Sequence, residues 1–228
     1  DYTWTEAKDL TKFHRVLGTY EVTDFDYYKP SNVLKGATSF EIGTFLACYY
    51  LFGKTEENKV ILDISEMDFE LRDALVNFYK NSNLQMKQEE SFDRTFKTRF
   101  VVDNEDLVNV VKETSLTKGF DSNMWGSKPF ITAVIKVLFN FSIMSKKNLQ
   151  LKIDKDSIHL TTDIQQALYL FGIHSNKVEG LIKDSILVTK NNLYRFILRV
   201  GIFTQQKIAS AFDYNKIIKF RTSKAFNT

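Results

Sequence analysis

The stretch FEIGTFLACYYLFGK at residues 40–54 is matched by FITAVIKVLFNFSIMS at residues 130–145, which starts 90 positions later. Each is about four helical turns of mostly apolar residues, followed by a strand-like run and a second amphipathic helical pattern. Gly43 and Ala47 lie four positions apart and give the first helix a smooth face that another backbone can approach closely. The two stretches therefore predict a duplicated domain whose halves pack helix against helix.

The order helix, two strands, helix, two strands, helix is predicted twice, which makes the chain an α+β protein with internal pseudo-symmetry. Ser39 and Asp68 are the expected N-caps of two helices, and Gly172 and Gly201 are expected to end two others. The predicted helices span residues 39–51, 68–81, 104–114, 129–142, 162–171, 191–200 and 207–211, and the predicted strands span residues 59–67, 84–89, 95–102, 149–154, 174–180 and 184–189.

Three segments organise the chain. Residues 1–37 are rich in aromatic side chains and are predicted to form a small β-rich N-terminal extension. Residues 38–117 form the first half and residues 118–228 the second half, which ends in a basic tail. Residues 116–128 contain two glycines and an exposed-looking Trp125, and are predicted to connect the halves.

Composition predicts a globular intracellular protein. The 228 residues are 43 % hydrophobic and include two prolines, and Lys136 and Asn140 interrupt the longest apolar run before it reaches a membrane-spanning length. The polar, acidic start resembles no targeting peptide, and the single cysteine fits a reducing compartment such as the cytoplasm, the nucleus or an organelle matrix. The three histidines have no metal-ligand spacing, so no structural metal site is expected.

The net charge of +3 conceals a division between the halves. Residues 1–117 contain 14 Lys and Arg against 21 Asp and Glu, a net charge of −7, whereas residues 118–228 contain 17 against 7, a net charge of +10. A positive surplus of this size attracts polyanions over long range, so the second half is expected to bind nucleic acid. The acidic first half is better suited to a contact with another protein. Chance variation across a soluble surface is the alternative explanation.

The motifs resemble those of the LAGLIDADG homing endonucleases, in particular the dodecapeptide type found inside inteins. IGTFLACYYLFGK at residues 42–54 resembles the family's first motif, and IKVLFNFSIMS at residues 135–145 resembles its second. Downstream, LQLKIDKDSIHLTTDIQQALYLFGIHS is similar to the family's strand and Q-x-L-L-x-x-F-G-I-x-S helix, and LYRFILRVGIFTQQK resembles its closing segment. The resemblance implies a duplicated αββαββα fold with the two motif helices packed at a pseudo-twofold axis.

The same resemblance sets a test for catalysis. The family places an acid at the foot of each motif helix, where the two acids hold Mg²⁺ over the scissile phosphates. In the alignment these positions fall on Cys48 and Ser142, neither of which is a carboxylate. Cys48 suits a small core residue, and Ser142 as a nucleophile would need a base that the sequence does not identify. The resemblance therefore implies that no catalytic residue, metal or cofactor is retained.

The family's twisted strands form a saddle in the major groove of a duplex, so basic residues on the predicted strands are candidate nucleic-acid contacts. Lysines on strands also protect sheet edges from aggregation, which is the alternative explanation for each of them. At the position that corresponds to Lys207, the family has a lysine near the active centre. The candidates are Arg94, Lys97 and Arg99 in the first half and Lys152, Lys177, Lys183, Lys190 and Lys207 in the second.

Residues 2–16, YTWTEAKDLTKFHRV, resemble the stretch after the catalytic histidine block of intein splicing domains, with Phe13 in place of a glycine. The terminal nucleophile and closing His-Asn of an intein are missing, so this sequence is not expected to splice itself.

Three functions remain open. The first is a degenerate homing endonuclease that binds double-stranded DNA, or RNA, without cleaving it. The second is an inactive endonuclease fold recruited as a structural or interaction subunit of a larger nucleoprotein assembly, such as a ribosome, a polymerase or an RNA maturase-like complex. The third is an active intein-associated nuclease whose acids lie elsewhere.

Overall fold

The computed structural model describes residues 24–65, 68–90, 97–144 and 148–203. The order αββαββα occurs twice, with one short helix in the connection, and confirms the predicted α+β class. The helices are α1 (Ser39–Phe52), α2 (Phe69–Asn81), α3 (Glu105–Glu113), α4 (Ser122–Trp125), α5 (Lys128–Asn140), α6 (Ile158–Leu170) and α7 (Lys190–Arg199). The strands are β1 (Gly53–Glu56), β2 (Lys59–Ser65), β3 (Met86–Glu90), β4 (Lys97–Asp103), β5 (Ile143–Met144), β6 (Asn148–Asp154), β7 (Ser175–Val178) and β8 (Lys183–Thr189).

Each half contributes one four-stranded antiparallel sheet. The strand orders are β1-β2-β4-β3 and β5-β6-β8-β7, which is the same order twice. Val60, Leu62 and Ile64 of β2 are buried against the helices, while the intervening residues point to the other face, as period-two alternation requires. Each sheet therefore has one face covered by helices and one outer face.

Helices α1 and α5 pack directly against each other in the centre of the molecule. A Cβ atom at Gly43 would lie 2.6 Å from the carbonyl oxygen of Phe130 and 3.1 Å from the Cβ of Ala133. Ala133 stands 90 positions after Gly43, which is the same offset as between the two motif stretches. The predicted close approach of a second backbone at Gly43 is thus confirmed.

The N-terminus of α1 is capped by Thr38 and not by Ser39 as predicted. The Thr38 hydroxyl accepts from the Glu41 amide at 3.2 Å, and the Glu41 carboxylate accepts from the Thr38 amide at 2.8 Å. This reciprocal capping box satisfies two helix-terminal amides, whereas Ser39 donates to Asp26 Oδ1 at 2.7 Å. The predicted helix is therefore correct in position, with its cap one residue earlier.

The N-terminal extension, which was predicted to be β-rich, is described only from residue 24 onward. Residues 24–37 form isolated bridges and a short 3₁₀ turn at Asn32–Leu34, without a strand. The segment is held by backbone hydrogen bonds: the Tyr27 amide donates to Gly126 and the Lys128 amide donates to Phe25. These bonds attach residues 24–37 to the start of α5, and the rest of the predicted extension lies outside the described residues.

The connection between the halves is more ordered than predicted. It contains α4, and Trp125, which was expected to be exposed, is half-buried with its ring 5.4 Å from that of Phe120. Helix α6 also starts earlier than predicted, at Ile158, and it ends before Gly172, whose φ of +64° is the left-handed conformation expected of a terminating glycine. Among the described helices, none is long and apolar enough to cross a membrane.

Two arginines of α7 hold the C-terminal end of α6. Arg199 Nη1 donates to the Phe171 carbonyl at 2.6 Å, and Arg195 Nη1 donates to the Gly172 carbonyl at 3.3 Å. The last carbonyls of a helix have no intrahelical donor and carry the negative end of its dipole, so two cations stabilise them. These arginines thus have a structural role despite belonging to the basic second half.

We expect Arg199→Ala to lower the free energy of unfolding by about 2 kcal/mol, because it removes a charge-assisted hydrogen bond from a helix end. Chemical denaturation of both proteins measures the difference. Arg199→Lys serves as the matched control and should recover less than half of the loss, since an ammonium group keeps the charge but has a different reach. An Arg199→Ala protein as stable as the wild type would contradict the capping role.

Candidate nucleic-acid interface

The lower end of α1 lies one turn beyond the residue that the sequence indicated. Helix α1 continues to Phe52, so Cys48 is inside the helix, fully buried, and not at its foot. Helix α5 ends at Asn140, and Ser142 follows within two residues, at the foot as predicted. The pairing of Cys48 with Ser142 is therefore corrected.

Phe52 and Ser142 occupy comparable places, because each is the residue immediately before the first strand of its half. Strand β1 begins at Gly53, which pairs with Leu62 of β2, and β5 begins at Ile143, which pairs with Gln150 of β6. The residues immediately before these two strands are Phe52 and Ser142, again 90 positions apart. The repeat offset was visible in the sequence and would have selected Phe52, but the motif alignment placed the acid position four residues earlier.

Aromatic side chains fill the space between the two helix feet. The ring of Phe52 contacts the ring of Phe141 edge-on, with centroids 4.7 Å apart. The Ser142 hydroxyl donates to the Phe139 carbonyl at 2.6 Å. The two helix feet are thus joined by an apolar contact between phenyl rings. The Ser142 hydroxyl is used in a local hydrogen bond to the backbone of α5.

These residues do not fit the divalent metal that the LAGLIDADG resemblance implies. Mg²⁺ takes hard oxygen ligands, usually carboxylates, whereas the feet present two phenyl rings and one hydroxyl. Within the described ranges, no group of three or more His, Cys, Asp and Glu side chains has the geometry to hold a metal ion. We therefore derive no reaction step through a metal at this place.

Cys48 has the environment of a core residue. Burial and, to a smaller extent, the negative charge of Asp68 raise the pKa of its thiol. Tyr79 is also fully buried, and burial together with the nearby Cys48 raises the pKa of its phenol. A reactive cysteine needs an accessible thiolate, so Cys48 lacks the basis for nucleophilic or metal-binding chemistry.

The raised pKa of Cys48 predicts a loss of stability in alkaline solution. In the unfolded chain the thiol ionises near pH ~8.5, whereas in the folded protein it stays protonated above that value. The folded state then binds more protons, and the free energy of unfolding falls by about 1.4 kcal/mol per pH unit from this group. In Cys48→Ala, the free energy of unfolding should therefore fall less steeply with pH between pH ~8.5 and ~10 than in the wild type. Urea titrations across this range test it, and equal slopes for the two proteins would contradict it.

The outer face of the first sheet is strongly charged, and two of its cations are paired with carboxylates. Arg99 Nε donates to Asp63 Oδ1 at 2.8 Å, and Arg99 Nη2 donates to Asp63 Oδ2 at 3.3 Å. Lys54 forms an ion pair with Glu56 at 2.5 Å, and this hydrogen bond lowers the pKa of Glu56. The strand register places five cations and four carboxylates on this face: Lys54, Lys59, Lys87, Lys97 and Arg99 with Glu56, Asp63, Glu89 and Asp103.

The outer face of the second sheet is mostly uncharged. Lys152 is exposed there, and Lys183 forms an ion pair with Asp154 at 2.9 Å. The Gln150 amide donates to the Ser185 hydroxyl at 3.0 Å. The remaining side chains that the register assigns to this face are uncharged, namely Ile143, Asn148, Asn176, Val178, Leu187 and Thr189.

Seven of the eight predicted nucleic-acid contacts separate into three groups. Lys97, opposite Ser65, and Lys152 lie on the outer faces and form no ion pair within the described part of the chain. Arg99 and Lys183 lie on the same faces but are ion-paired. Arg94, Lys207 and the side chain of Lys190 lie outside the described residues.

Lys177 is corrected, because it lies on the opposite side of the second sheet. It pairs in register with Ile186, a core residue, and its ammonium group is 3.2 Å from Asp184 Oδ2 and 3.8 Å from Glu179 Oε1. Burial is the largest single influence and raises the pKa of Asp184, but the hydrogen bonds from Lys177 and the Gly180 backbone and the charges of Lys177 and Lys155 together lower that pKa. Lys177 therefore neutralises a buried carboxylate and does not belong to the outer face.

The positive charge of the second half is distributed differently from the expectation. Its described residues include 10 Lys and Arg and 6 Asp and Glu, a net charge of +4. The remaining +6 belongs to residues 145–147 and 204–228, which lie outside the described part. Most of the charge surplus of the second half therefore belongs to sequence segments outside the described residues.

The two outer faces flank the helix pair. Strands β1 and β5 follow directly from α1 and α5, whose feet touch, so these strands form the facing edges of the two sheets. This arrangement of two sheets beneath a central helix pair defines a LAGLIDADG-like fold.

Comparison with solved structures identifies the same class. The structure is similar to "The crystal structure of I-DmoI in complex with DNA and Mn", with a TM-score of 0.55 and 10% sequence identity, over 72% of this chain and 98% of that one. It is also similar to mesophilic variants of the homing endonuclease I-DmoI, with a TM-score of 0.54 and 9% identity, over 72% of this chain and 91% of that one. At these identities the likeness establishes the fold alone.

A further similarity is to the N-terminal LAGLIDADG domain of DUF199/WhiA, with a TM-score of 0.48 and 11% identity over 75% of this chain and 86% of that one. The sequence matches no protein-family model, and no curated protein sequence is similar to it.

Proposed function

We propose that this protein binds double-stranded DNA across the outer faces of its two sheets and does not cleave it. The observation that supports the absence of cleavage is the pair of helix feet, where Phe52, Phe141 and Ser142 stand in place of two carboxylates. DNA binding is supported by the LAGLIDADG-like fold, because the similar I-DmoI structure is a complex with DNA.

The charges of the outer faces indicate how binding works. Lys59, Lys87, Lys97 and Lys152 form no ion pair in the described ranges, so they are the available phosphate contacts. Arg99 and Lys183 first have to exchange a carboxylate partner for a phosphate. Binding by a surface that carries carboxylates among its cations is expected to be weaker and less dependent on salt than binding by a uniformly basic surface.

A fluorescence anisotropy titration with a 30-base-pair DNA duplex, in ~50 mM and ~200 mM salt, tests the binding. We expect association without Mg²⁺ and no nicked or cut strands after prolonged incubation with Mg²⁺ or Mn²⁺. The variant Lys97→Gln/Lys152→Gln should bind more weakly, and the slope of log K against log salt should become shallower by about 2. Lys80→Gln/Lys112→Gln, with the same charge change on helices α2 and α3, is the matched control.

Metal-dependent strand cleavage by the wild-type protein would overturn the proposal. A parallel titration with duplex RNA distinguishes the alternative ligand, since RNA duplexes present a different groove geometry. We also retain the predicted division between the halves, in which residues 118–228 hold more of the affinity. The predicted link to an intein depends on residues 1–23, and it stays a hypothesis.

The second candidate function is a structural or interaction subunit of a larger nucleoprotein assembly. Its support is the pairing of charges on the first sheet, where Arg99–Asp63 and Lys54–Glu56 satisfy cations internally. A face of this kind suits a polar protein contact as well as a phosphate backbone. Failure of the chain to bind any duplex, at any salt concentration used, would favour this second function.

A further inference from the structure

The turn between β7 and β8 exposes apolar side chains to an extent that folding does not explain. Leu181 is 97% exposed and Ile182 is 78% exposed, and they are consecutive residues. Val178, at the end of β7, is 49% exposed and belongs to the outer face because it pairs with Ser185. These three residues, which we call the apolar turn, contribute little to the core of the described fold.

The apolar turn belongs to the outer face of the second sheet. Leu181 and Ile182 line a cavity of about 340 Å³ together with Lys152, Lys183 and Ser185. The strand register assigns these last three residues to the outer face. The turn is therefore continuous with the surface on which the proposed function places the duplex.

The surroundings of the apolar turn favour a nucleic-acid partner over a protein partner. A stable protein contact buries about 800 Å² on each partner, usually around an apolar centre. The apolar turn itself has three side chains, Ile143 and Leu187 lie further along the same face, and charged residues lie immediately beside the turn, including Lys152, Lys183 and Asp154. Leu and Ile are side chains that proteins insert between base pairs to kink a duplex, and flanking lysines then meet the phosphates.

We propose that Leu181 and Ile182 form a wedge that inserts between adjacent base pairs of the bound duplex and bends it. This inference rests on the proposed function, because it requires that the duplex lie on the outer faces. Insertion separates two stacked base pairs, which costs a few kcal/mol, and the burial of two exposed aliphatic side chains offsets part of that cost.

A duplex with a two-nucleotide bulge supplies the unstacked step in advance. The wild-type protein is therefore expected to bind a centrally bulged duplex about tenfold more tightly than the continuous duplex of the same sequence. Donor and acceptor dyes at the two ends of the continuous duplex should also show a shortened end-to-end distance in the complex. Both measurements use the full chain and the same DNA sequences.

The variant Leu181→Ser/Ile182→Ser removes the wedge at a site that makes little contribution to folding. We expect it to bind the continuous duplex within about threefold of wild type, because the lost contacts and the avoided unstacking cost oppose each other. It should lose both the preference for the bulge and the bend. Leu181→Met/Ile182→Met should keep both, since methionine is also an apolar wedge residue.

Phe69→Ser is the matched control, because Phe69 is 66% exposed on α2, away from the outer faces. It should leave the bulge preference and the bend unchanged. A wild-type complex that binds both duplexes equally and leaves the dye distance unchanged would overturn the wedge while leaving the proposed function standing. Absence of binding to either duplex would overturn the proposed function itself, and with it the wedge. A third outcome would also overturn the wedge: the duplex stays unbent, the wild-type protein self-associates, and Leu181→Ser/Ile182→Ser does not. The apolar turn would then be a contact between protein molecules.

Discussion

Gly43→Ala is expected to lower the free energy of unfolding by about 2 kcal/mol, although alanine is the better helix former. The helix-propensity gain of about 1 kcal/mol is outweighed because the new Cβ would lie 2.6 Å from the Phe130 carbonyl oxygen. That oxygen belongs to the backbone of α5, so relief requires the two central helices to separate and lose contacts along their length. Thermal unfolding should show a midpoint lower by about 4–8 °C.

A second variant distinguishes this clash from other effects. Gly43→Ala/Ala133→Gly removes the 3.1 Å contact with the Ala133 side chain but keeps the contact with the Phe130 backbone. We therefore expect little rescue, and Gly43→Val should be worse than Gly43→Ala, because a larger side chain extends further into α5. A Gly43→Ala protein as stable as wild type would show that α1 and α5 are not in such close contact. Because the helix pair sets the spacing of the two sheets, the less stable variants should also bind DNA more weakly near their unfolding temperature.

Asp63→Asn is expected to strengthen DNA binding about tenfold at ~50 mM salt. Asp63 accepts two hydrogen bonds from Arg99 on the outer face of the first sheet, and its removal leaves that guanidinium available for one additional phosphate. One added contact raises the salt slope by about 0.9, which corresponds to roughly this gain at low salt. Anisotropy titrations at several salt concentrations measure both quantities.

The control for Asp63→Asn must change the same charge elsewhere. Asp73→Asn removes one negative charge from an exposed position of α2, on the helical side of the molecule. If it raises affinity as much as Asp63→Asn, the effect comes from net charge alone and the role of the outer face is refuted. Asp154→Asn, which releases Lys183 on the second sheet, should act as Asp63→Asn does.

The contact between the central helices and the charges of the outer faces depend on different kinds of interaction. The α1–α5 contact depends on small residues and shape, so it persists without any carboxylate at the helix feet. The outer faces depend on individual charges, and a single carboxylate, Asp63, pairs with the arginine that the proposed function would assign to a phosphate. The packing of the central helices and the charges of the outer faces can therefore change independently of each other.

The sequence by itself determined most of the repeated helix and strand order, because apolar periodicity separates helices from strands. The short strands β1 and β5 are too brief to show a period, and the full αββαββα order came only from the family resemblance. The sequence also determined the close approach at Gly43, since a smooth helix face has few other uses. Its errors were local: Ser39 in place of Thr38 as a cap, and Cys48 in place of Phe52 at the helix foot. A motif alignment slips by one turn easily, because positions four apart lie on the same helix face.

Only the tertiary structure decided which basic residues share a surface and which are available. Strand register fixes Lys177 on the helical side and Lys152 on the outer face, and a shift of one residue would exchange them. The pairing of Arg99 with Asp63 joins residues 36 positions apart on neighbouring strands, which no local pattern in the sequence reveals. Periodicity is a local property that the chain encodes directly, whereas charge pairing across strands depends on the register that packing selects.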